Sequence, residues 1–385
     1  MIEIKKGYIA YNILYVLSLT NCFPVYSLHI LGNKRIYNST IKEMKEKQVY
    51  YNCETKEKIE CKALNITGRG REKIISLSIK ALPLLEWIGM DKIYDPSKTR
   101  TGNKNTIDRL CRKAEVLGFF YRAGMFDLSA YLAEGSENTS SDLLYFNAKK
   151  LLSEQIDCRS EIVYSEGNQK TAFTRVVGVL MDKDRFFPVY NIRDRAMKWV
   201  GDSEQKAKAS LSFRAKTNSN VDNIKTILLF GKKYEAGMTT VETGWNTTPN
   251  NYPRKSFNLS GVYSKIHFVP YDAFGQDLLR FILADHSTEL LLQTIFQNNN
   301  NNGVRGAYDL VLNSGEFVYS FCDSDLSRFS KILKLKPEYV GRMIIVCFEE
   351  QVEFLQSQFA PGEVLIQSVD IREALDYLKS KGVIT

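Results

Sequence analysis

The stretch Asn33-Lys34-Arg35-Ile36-Tyr37-Asn38-Ser39-Thr40-Ile41-Lys42-Glu43-Met44-Lys45-Glu46-Lys47 decides how the first part of the chain is read. Tyr37, Ile41 and Met44 recur at i, i+4 and i+7, the spacing of one helix face. Asn33 precedes them as an N-cap, whose side-chain oxygen satisfies first-turn amides. The spacing predicts a helix over Lys34–Lys47. Half a turn from the apolar face stand Arg35, Asn38, Ser39, Lys42 and Lys45, with Lys34 at the helix start. Arg and Asn side chains suit base edges, and Lys and Ser suit phosphates. The plainer alternative is a solvated face laced by i,i+4 ion pairs such as Lys42 with Glu46.

Outward from this helix, Gly7–Thr20 repeats apolar residues at helical spacing (Ile9, Ile13, Val16, Leu17), and Pro24–Leu31 reads as a short second helix ended by Gly32. After it, Val49–Cys53 and Ile59–Ile66 read as a hairpin around the polar tip Glu54–Lys58, which puts Lys56 and Lys58 where a wing would meet DNA. Thr67-Gly68-Arg69-Gly70-Arg71-Glu72 reads as the opening of a fourth helix toward Lys80. Between Met1 and Lys80 there are 14 Lys and Arg against 7 Asp and Glu, so most of the formal net charge of +8 lies in the first fifth of the chain. A basic segment on a near-neutral body points to a polyanion, because each neutralised phosphate releases counterions.

The seven cysteines contain no C-x-x-C pair, and the three histidines form no H-E-x-x-H. This argues against a zinc site and fits a reducing, cytoplasmic setting. Cys53 and Cys61 fall where they could face each other across the hairpin, a reduced pair being the plainer reading. The apolar run Tyr8–Leu19 after Lys5 and Lys6 imitates a signal peptide, but Asn12 interrupts it. No run approaches the length of a membrane span. No Walker A, G-x-G-x-x-G or G-x-S-x-G motif occurs.

Past a basic linker (Asp95–Asn105), Thr106–Ala123 reads as a helix with the stripe Ile107, Leu110, Ala114, Leu117 and Tyr121. Arg100, Lys104, Arg109, Arg112, Lys113 and Arg122 form either a second basic surface or the covering of a helix exterior. The remainder then shows one order of elements twice. Strands Arg175–Leu180 and Arg185–Ile192 flank an Asp182-Lys183-Asp184 turn. They are followed by a helix near Ser203–Ser212, strands Thr226–Gly231 and Lys265–Val269, and a helix Phe274–Phe296. Strands Tyr308–Leu312 and Glu316–Phe321 flank Asn313-Ser314-Gly315. They are followed by a helix Asp325–Leu335, a strand Met343–Phe348, a helix Glu349–Phe359, a strand Glu363–Ser368 and a helix Asp370–Lys381. The seam is the five-Asn run Asn298–Asn302. This order predicts two mixed α/β units in tandem.

Helix, helix, helix, hairpin, helix over the first 80 residues resembles a winged helix-turn-helix. Ile41 to Val49 fits the pattern L-x-x-L-x-x-x-G-L/V, except that Gln48 stands where the family prefers Gly, a departure costing about 1 kcal/mol. Leu64 to Gly70 resembles the closing strand and the L-T-x-x-G-R turn. With the α/β units behind it, the chain is similar to the replication-relaxation family, which includes MobC-type relaxases. The resemblance is firmest over Met1–Lys80. It implies a duplex-DNA-binding factor of a plasmid or conjugative element, with nuclease-like units of the PD-(D/E)-x-K kind, in which carboxylates hold a divalent metal and a Lys helps activate water.

Those groups do not assemble in the sequence. Asp309 occupies the place of the first carboxylate, but the partner strands Phe317–Phe321 and Phe187–Asn191 carry no E-x-K. Asp182 and Asp184 read as a polar turn, Asp323 and Asp325 as a helix N-cap region, and Glu204-Gln205-Lys206 as diverging helix residues. The expectation is therefore an α+β or α/β chain: a winged helix at 1–90, a helical linker region at 91–158, and nuclease-like units at 159–297 and 303–385. It binds double-stranded DNA through Lys34, Arg35, Asn38, Ser39, Lys42, Lys45, Lys56 and Lys58. It has no resident cofactor or metal and no membrane contact, and it has room for a homodimer and for other conjugation or replication proteins as partners. The alternatives are a nicking nuclease using Mg²⁺ or Mn²⁺ with Asp309, and a protein-interaction scaffold.

Overall fold

Helix α1 (Ile9–Thr20) forms where the periodicity predicts it. It ends at Asn21, whose left-handed backbone (φ 64°) turns the chain sharply into β2 (Cys22–Pro24). The expected helix over Pro24–Leu31 is only partly there. Cys22, Phe23 and Pro24 are all buried in a strand, and a 3-10 turn follows over Val25–Ile30. Pro24 is tolerated because β2 is an edge strand. Helix α2 (Lys34–Met44) comes next, one turn shorter than expected.

Two hairpins follow where one was expected. β3 (Gln48–Asn52) and β4 (Lys58–Cys61) are antiparallel, and β1 (Ile2–Ile4) adds to β3 in parallel. Cys61 lies opposite Gln48, so it does not face Cys53 across this hairpin. The chain breaks at Ala63, whose amide donates to Met44 O at 3.2 Å. β5 (Leu64–Thr67) and β6 (Ile74–Leu77) then form a second antiparallel pair, with β6 also pairing β2, giving the order β2-β6-β5. The expected fourth helix over Thr67–Lys80 is thus a strand with 3-10 turns on either side. Ile74-Ile75-Ser76-Leu77 alternates partly and fully buried residues with period two, the strand pattern. Gly68 and Gly70 at positive φ close the loop before it. Short α3 (Leu82–Trp87) and long α4 (Lys104–Arg122) follow, and β7 (Leu143–Asn147) comes last in this part of the chain.

The computed structural model describes residues 1–94, 104–126, 143–147, 175–182, 185–196, 204–205, 207–209, 211–212, 224–242, 259–297, 308–334 and 342–384. The chain divides into two units, Met1–Asn147 and Ala148–Thr385. It is mixed α+β with four small sheets. Among the described residues no helix is long and apolar enough to cross a membrane. The Asp95–Asn105 linker (but for its last two residues), the Glu134–Ser141 loop, Cys158, Lys183, Asp184, Lys206 and the five-Asn seam lie outside the described residues.

In the second unit, β8 (Gly178–Asp182) and β9 (Arg185–Arg193) form an antiparallel hairpin, and β10 (Thr226–Gly231) and β11 (Lys265–Pro270) continue from β9 in parallel. Residues 204–205, 207–209 and 211–212 are helical, α5 (Tyr234–Glu242) joins β10 to β11, and α6 (Ala273–Leu283) follows β11. The other sheet repeats this plan. β12 (Leu310–Val311) and β13 (Phe317–Ser320) form a hairpin, and β14 (Met343–Phe348) and β15 (Leu365–Val369) run parallel to β13. Helices α8 (Leu326–Ile332), α9 (Val352–Gln356) and α10 (Ile371–Ser380) take the corresponding places. The expected single helix over Phe274–Phe296 is broken. After α6 the chain turns at His286, a non-glycine residue at φ 54°, and α7 (Ser287–Ile295) restarts.

The side-chain rows also correspond. In one sheet Tyr190 is registered to Leu229 and Leu229 to Phe268; in the other Tyr319 is registered to Ile345 and Ile345 to Ile366. The first five are buried in one continuous core and Ile366 packs against it. Buried fully, each such side chain contributes about 1.5–3 kcal/mol. The sheets are tied by backbone as well. Phe268 N donates to Ser324 O at 3.0 Å, and Ile266 N donates to Asp325 Oδ1 at 3.1 Å.

Candidate nucleic-acid interface

Asn33 caps α2 as its position predicts: its Oδ1 accepts from the amides of Arg35 (3.0 Å) and Ile36 (3.4 Å). Tyr37, Ile41 and Met44 are buried, and the Tyr37 ring packs so closely on Gly32 that a Cβ there would lie 2.9 Å from Cε2. The opposite side is open. Lys34, Arg35, Ser39, Lys42 and Lys45 are exposed and Asn38 is half-buried. Lys45 reaches Glu46 at 3.4 Å, a surface pair of little energetic weight. The alternative pairing of Lys42 with Glu46 does not form, and Lys34, Arg35 and Lys42 make no ion pair among the described residues. The helix leaves through Lys45 in a right-handed conformation, and Gln48 simply opens β3. A left-handed glycine is not required at this exit, so the departure at Gln48 carries no strain.

One face of α4 holds the segment leading into α2. Cys111 Sγ lies 3.8 Å from Cys22 Sγ. Four residues on, buried Glu115 accepts hydrogen bonds from Tyr26 Oη (2.9 Å) and Ser27 Oγ (2.6 Å). Gly118 admits Leu31 and Phe23, whose side chains would lie 2.8 and 3.1 Å from a Cβ. Arg122 donates to His29 O at 2.9 Å. Positions 111, 115, 118 and 122 share a helical stripe. Above it, Tyr121 donates to Asn12 Oδ1 at 2.8 Å, and burial pushes its phenol up to about 12. The sequence-level second basic surface is partly consumed here: Arg122 serves those carbonyls and Arg112 pairs with Asp108 at 2.8 Å. Arg100 and the Lys104 side chain lie outside the described residues.

The two hairpins carry different cations. In β3–β4, Asn52 Oδ1 accepts from the Glu54 and Thr55 amides, Lys56 adopts φ 64° with its ammonium 5.9 Å from the Tyr51 ring, and Lys58 is registered to Tyr51. Lys56 and Lys58 are exposed, but they belong to the β1-β3-β4 sheet. In β5–β6 the turn exposes Arg69, Arg71 and Lys73. It is tightly closed: a Cβ on Gly68 would lie 2.3 Å from Glu72 O, the Glu72 amide donates to Arg69 O at 3.0 Å, and Val25 N donates to Lys73 O at 2.9 Å. Sequence reading missed these three residues as a candidate surface. The available signal was Gly68-Arg69-Gly70-Arg71, glycines alternating with arginines, which suits a tight turn better than a helix start.

In the second unit the carboxylates singled out from sequence are engaged. Asp309 accepts from Ser320 N at 2.6 Å and pairs with Arg328 at 2.8 Å, and the Arg328 guanidinium lies 4.6 Å from the Tyr319 ring centre. Asp325 caps α8 by accepting from the Ser327 and Arg328 amides, and Asp323 Oδ1 accepts from Asp325 N at 3.1 Å. Burial raises the Asp323 carboxyl above its ordinary range, partly offset by His267, whose Nδ1 lies 2.7 Å from Asp323 O. Asp182 pairs with Arg185, which also donates to Leu283 O. Glu204 is fully buried, accepting from Arg175 N (2.7 Å) and Tyr190 Oη (2.9 Å). Among the described residues no group of three or more His, Cys, Asp or Glu side chains gathers as a metal ion would need.

Compared with models of known families, with curated proteins and with solved structures, the chain has no significant match.

Proposed function

We propose that the chain binds duplex DNA through a winged helix in its first unit, with α2 as the recognition helix and the β5–β6 hairpin as the wing. The observation that carries this reading is the sheet order β2-β6-β5 built around α1, the 3-10 turn and α2. A winged helix needs a strand after its first helix that pairs with the second strand of a later hairpin, so that the wing extends beside the recognition helix. β2, β5 and β6 stand in that order, and the β3–β4 hairpin is an addition between α2 and the wing. Exposed Lys34, Arg35 and Lys42 on α2 and Arg69 and Lys73 at the wing tip supply cations for phosphates and exposed Ser39 a hydroxyl, with Arg35 and Asn38 available to base edges.

The second unit, on this proposal, is a pair of nuclease-like units that serve as scaffold, and the protein is a replication or mobilisation factor of a plasmid or conjugative element. Asp309, the candidate for a nuclease, faces Arg328 and a backbone amide, and neither activates a water or holds a cation. The test is fluorescence anisotropy of the full chain with labelled duplex over a salt series. The expected result is binding that weakens steeply with salt, and a loss of about tenfold or more for Arg35→Ala combined with Lys42→Ala. Unchanged binding by that double variant, folded as the parent, refutes the assignment of α2.

A further inference from the structure

The α4 stripe ends in a contact between two buried cysteines. Cys22 on β2 and Cys111 on α4 are 89 positions apart in sequence, yet their sulfurs lie 3.8 Å from each other, with both side chains buried. Cys322 directs its thiol at Val346 O (3.7 Å), and Cys53 and Cys61 lie at opposite ends of their hairpin. A disulfide needs an S–S separation of about 2.05 Å, so the two sulfurs have about 1.8 Å left to close. Gly118, two turns along the same helix, already lets α4 lie against Phe23 and Leu31, so the two backbones are at close approach where the bond would form.

We propose that Cys22 and Cys111 are a cross-linking site: in the presence of a low-molecular-weight disulfide they close into a disulfide that fastens α4 to β2. One protein thiolate attacks the small disulfide and forms a mixed disulfide, expelling one small thiolate. The second protein thiolate attacks the sulfur of that mixed disulfide and expels the other. Two protein thiols are oxidised and one small disulfide is reduced to two thiols, the two protons passing from the protein thiols to the expelled small thiolates. Buried thiols react slowly, so the exchange takes place as the chain folds or when α4 lifts away, and packing then shields the bond from reductants. A cross-link over so long a loop restricts the unfolded chain strongly. It also fixes one end of the stripe that holds residues 22–31. The inference does not rest on the nucleic-acid reading.

The experiment is to refold the full chain in a buffer of oxidised and reduced glutathione, and in parallel with excess dithiothreitol. Expected from the oxidised sample are a Cys22–Cys111 peptide in a non-reducing digest, a mass lower by two hydrogens, and two fewer titratable thiols than the seven in the sequence. The unfolding midpoint should rise by about 5 °C or more over the reduced sample. That rise should be absent in Cys111→Ser and in Cys22→Ala. The peptide map of the parent protein needs neither variant to fold. Seven titratable thiols after oxidation, a cross-link joining any other pair, or only glutathione adducts would overturn the proposal.

Discussion

Replacing Arg69 and Lys73 together by Ala tests which hairpin meets DNA. Both side chains are exposed on a turn whose shape is set by backbone contacts: Gly68 against Glu72 O, Glu72 N to Arg69 O, and Val25 N to Lys73 O. The substitutions leave those contacts intact and should change stability by no more than about 0.5 kcal/mol. Each phosphate contact contributes about 0.9 to the slope of log K against log salt. Losing two lowers the slope by about 1.8, which at ~0.1 M salt is about 60-fold in affinity and at ~1 M salt almost nothing. Lys56→Ala with Lys58→Ala, on the β1-β3-β4 sheet, should leave the slope within experimental error. Anisotropy titrations at four or five salt concentrations, with thermal melts as a folding control, measure both. If the Lys56/Lys58 variant loses slope while the Arg69/Lys73 variant keeps it, the wing has been placed on the wrong hairpin.

Three further outcomes concern the second unit. Gly275→Ala should destabilise by about 3 kcal/mol or more in a denaturant melt, because its Cβ would lie 1.8 Å from Pro270 O, a backbone atom, and would disturb the amide that Asp272 accepts at 2.8 Å. Asp323→Asn should be more stable than the parent at neutral pH, with the gain disappearing below about pH 4. The Asp323 carboxyl is raised in the folded state, so its favourable protonated form is fully present below the unfolded value and lost as pH rises through the folded one; a gain that grows toward acid would contradict this. Asp309→Ala should lower stability by about 2 kcal/mol, since Arg328 and the Ser320 amide both lose their acceptor, the pair being partly exposed. A melt indistinguishable from the parent would mean that this pair is not structural.

Much of the second unit was legible because its elements announce themselves locally. Short apolar runs such as Met343–Phe348 are bounded by turn residues, and Asp325 and Asp370 cap their helices where the sequence puts them. The break near His286 was not, since the left-handed residue is neither Gly nor Asn and the apolar spacing runs through it. In the first unit, α2 and its exposed cations could be read from a single periodicity. The wing could not. Ile74–Leu77 becomes a central strand by pairing with both Leu64–Thr67 and Cys22–Pro24, and a window along the chain does not register the second partner, about fifty residues earlier. β1 was missed for the same reason, three residues long and defined only by Tyr50–Asn52.

The shared core of the two sheets bears on how this part of the molecule can be cut. Tyr319, Phe321 and Phe329 belong to the same apolar cluster as Tyr190, Leu229 and Phe268. A gene truncated at the asparagine run would therefore deliver a piece with one flank of that core stripped bare, prone to clump with its own kind.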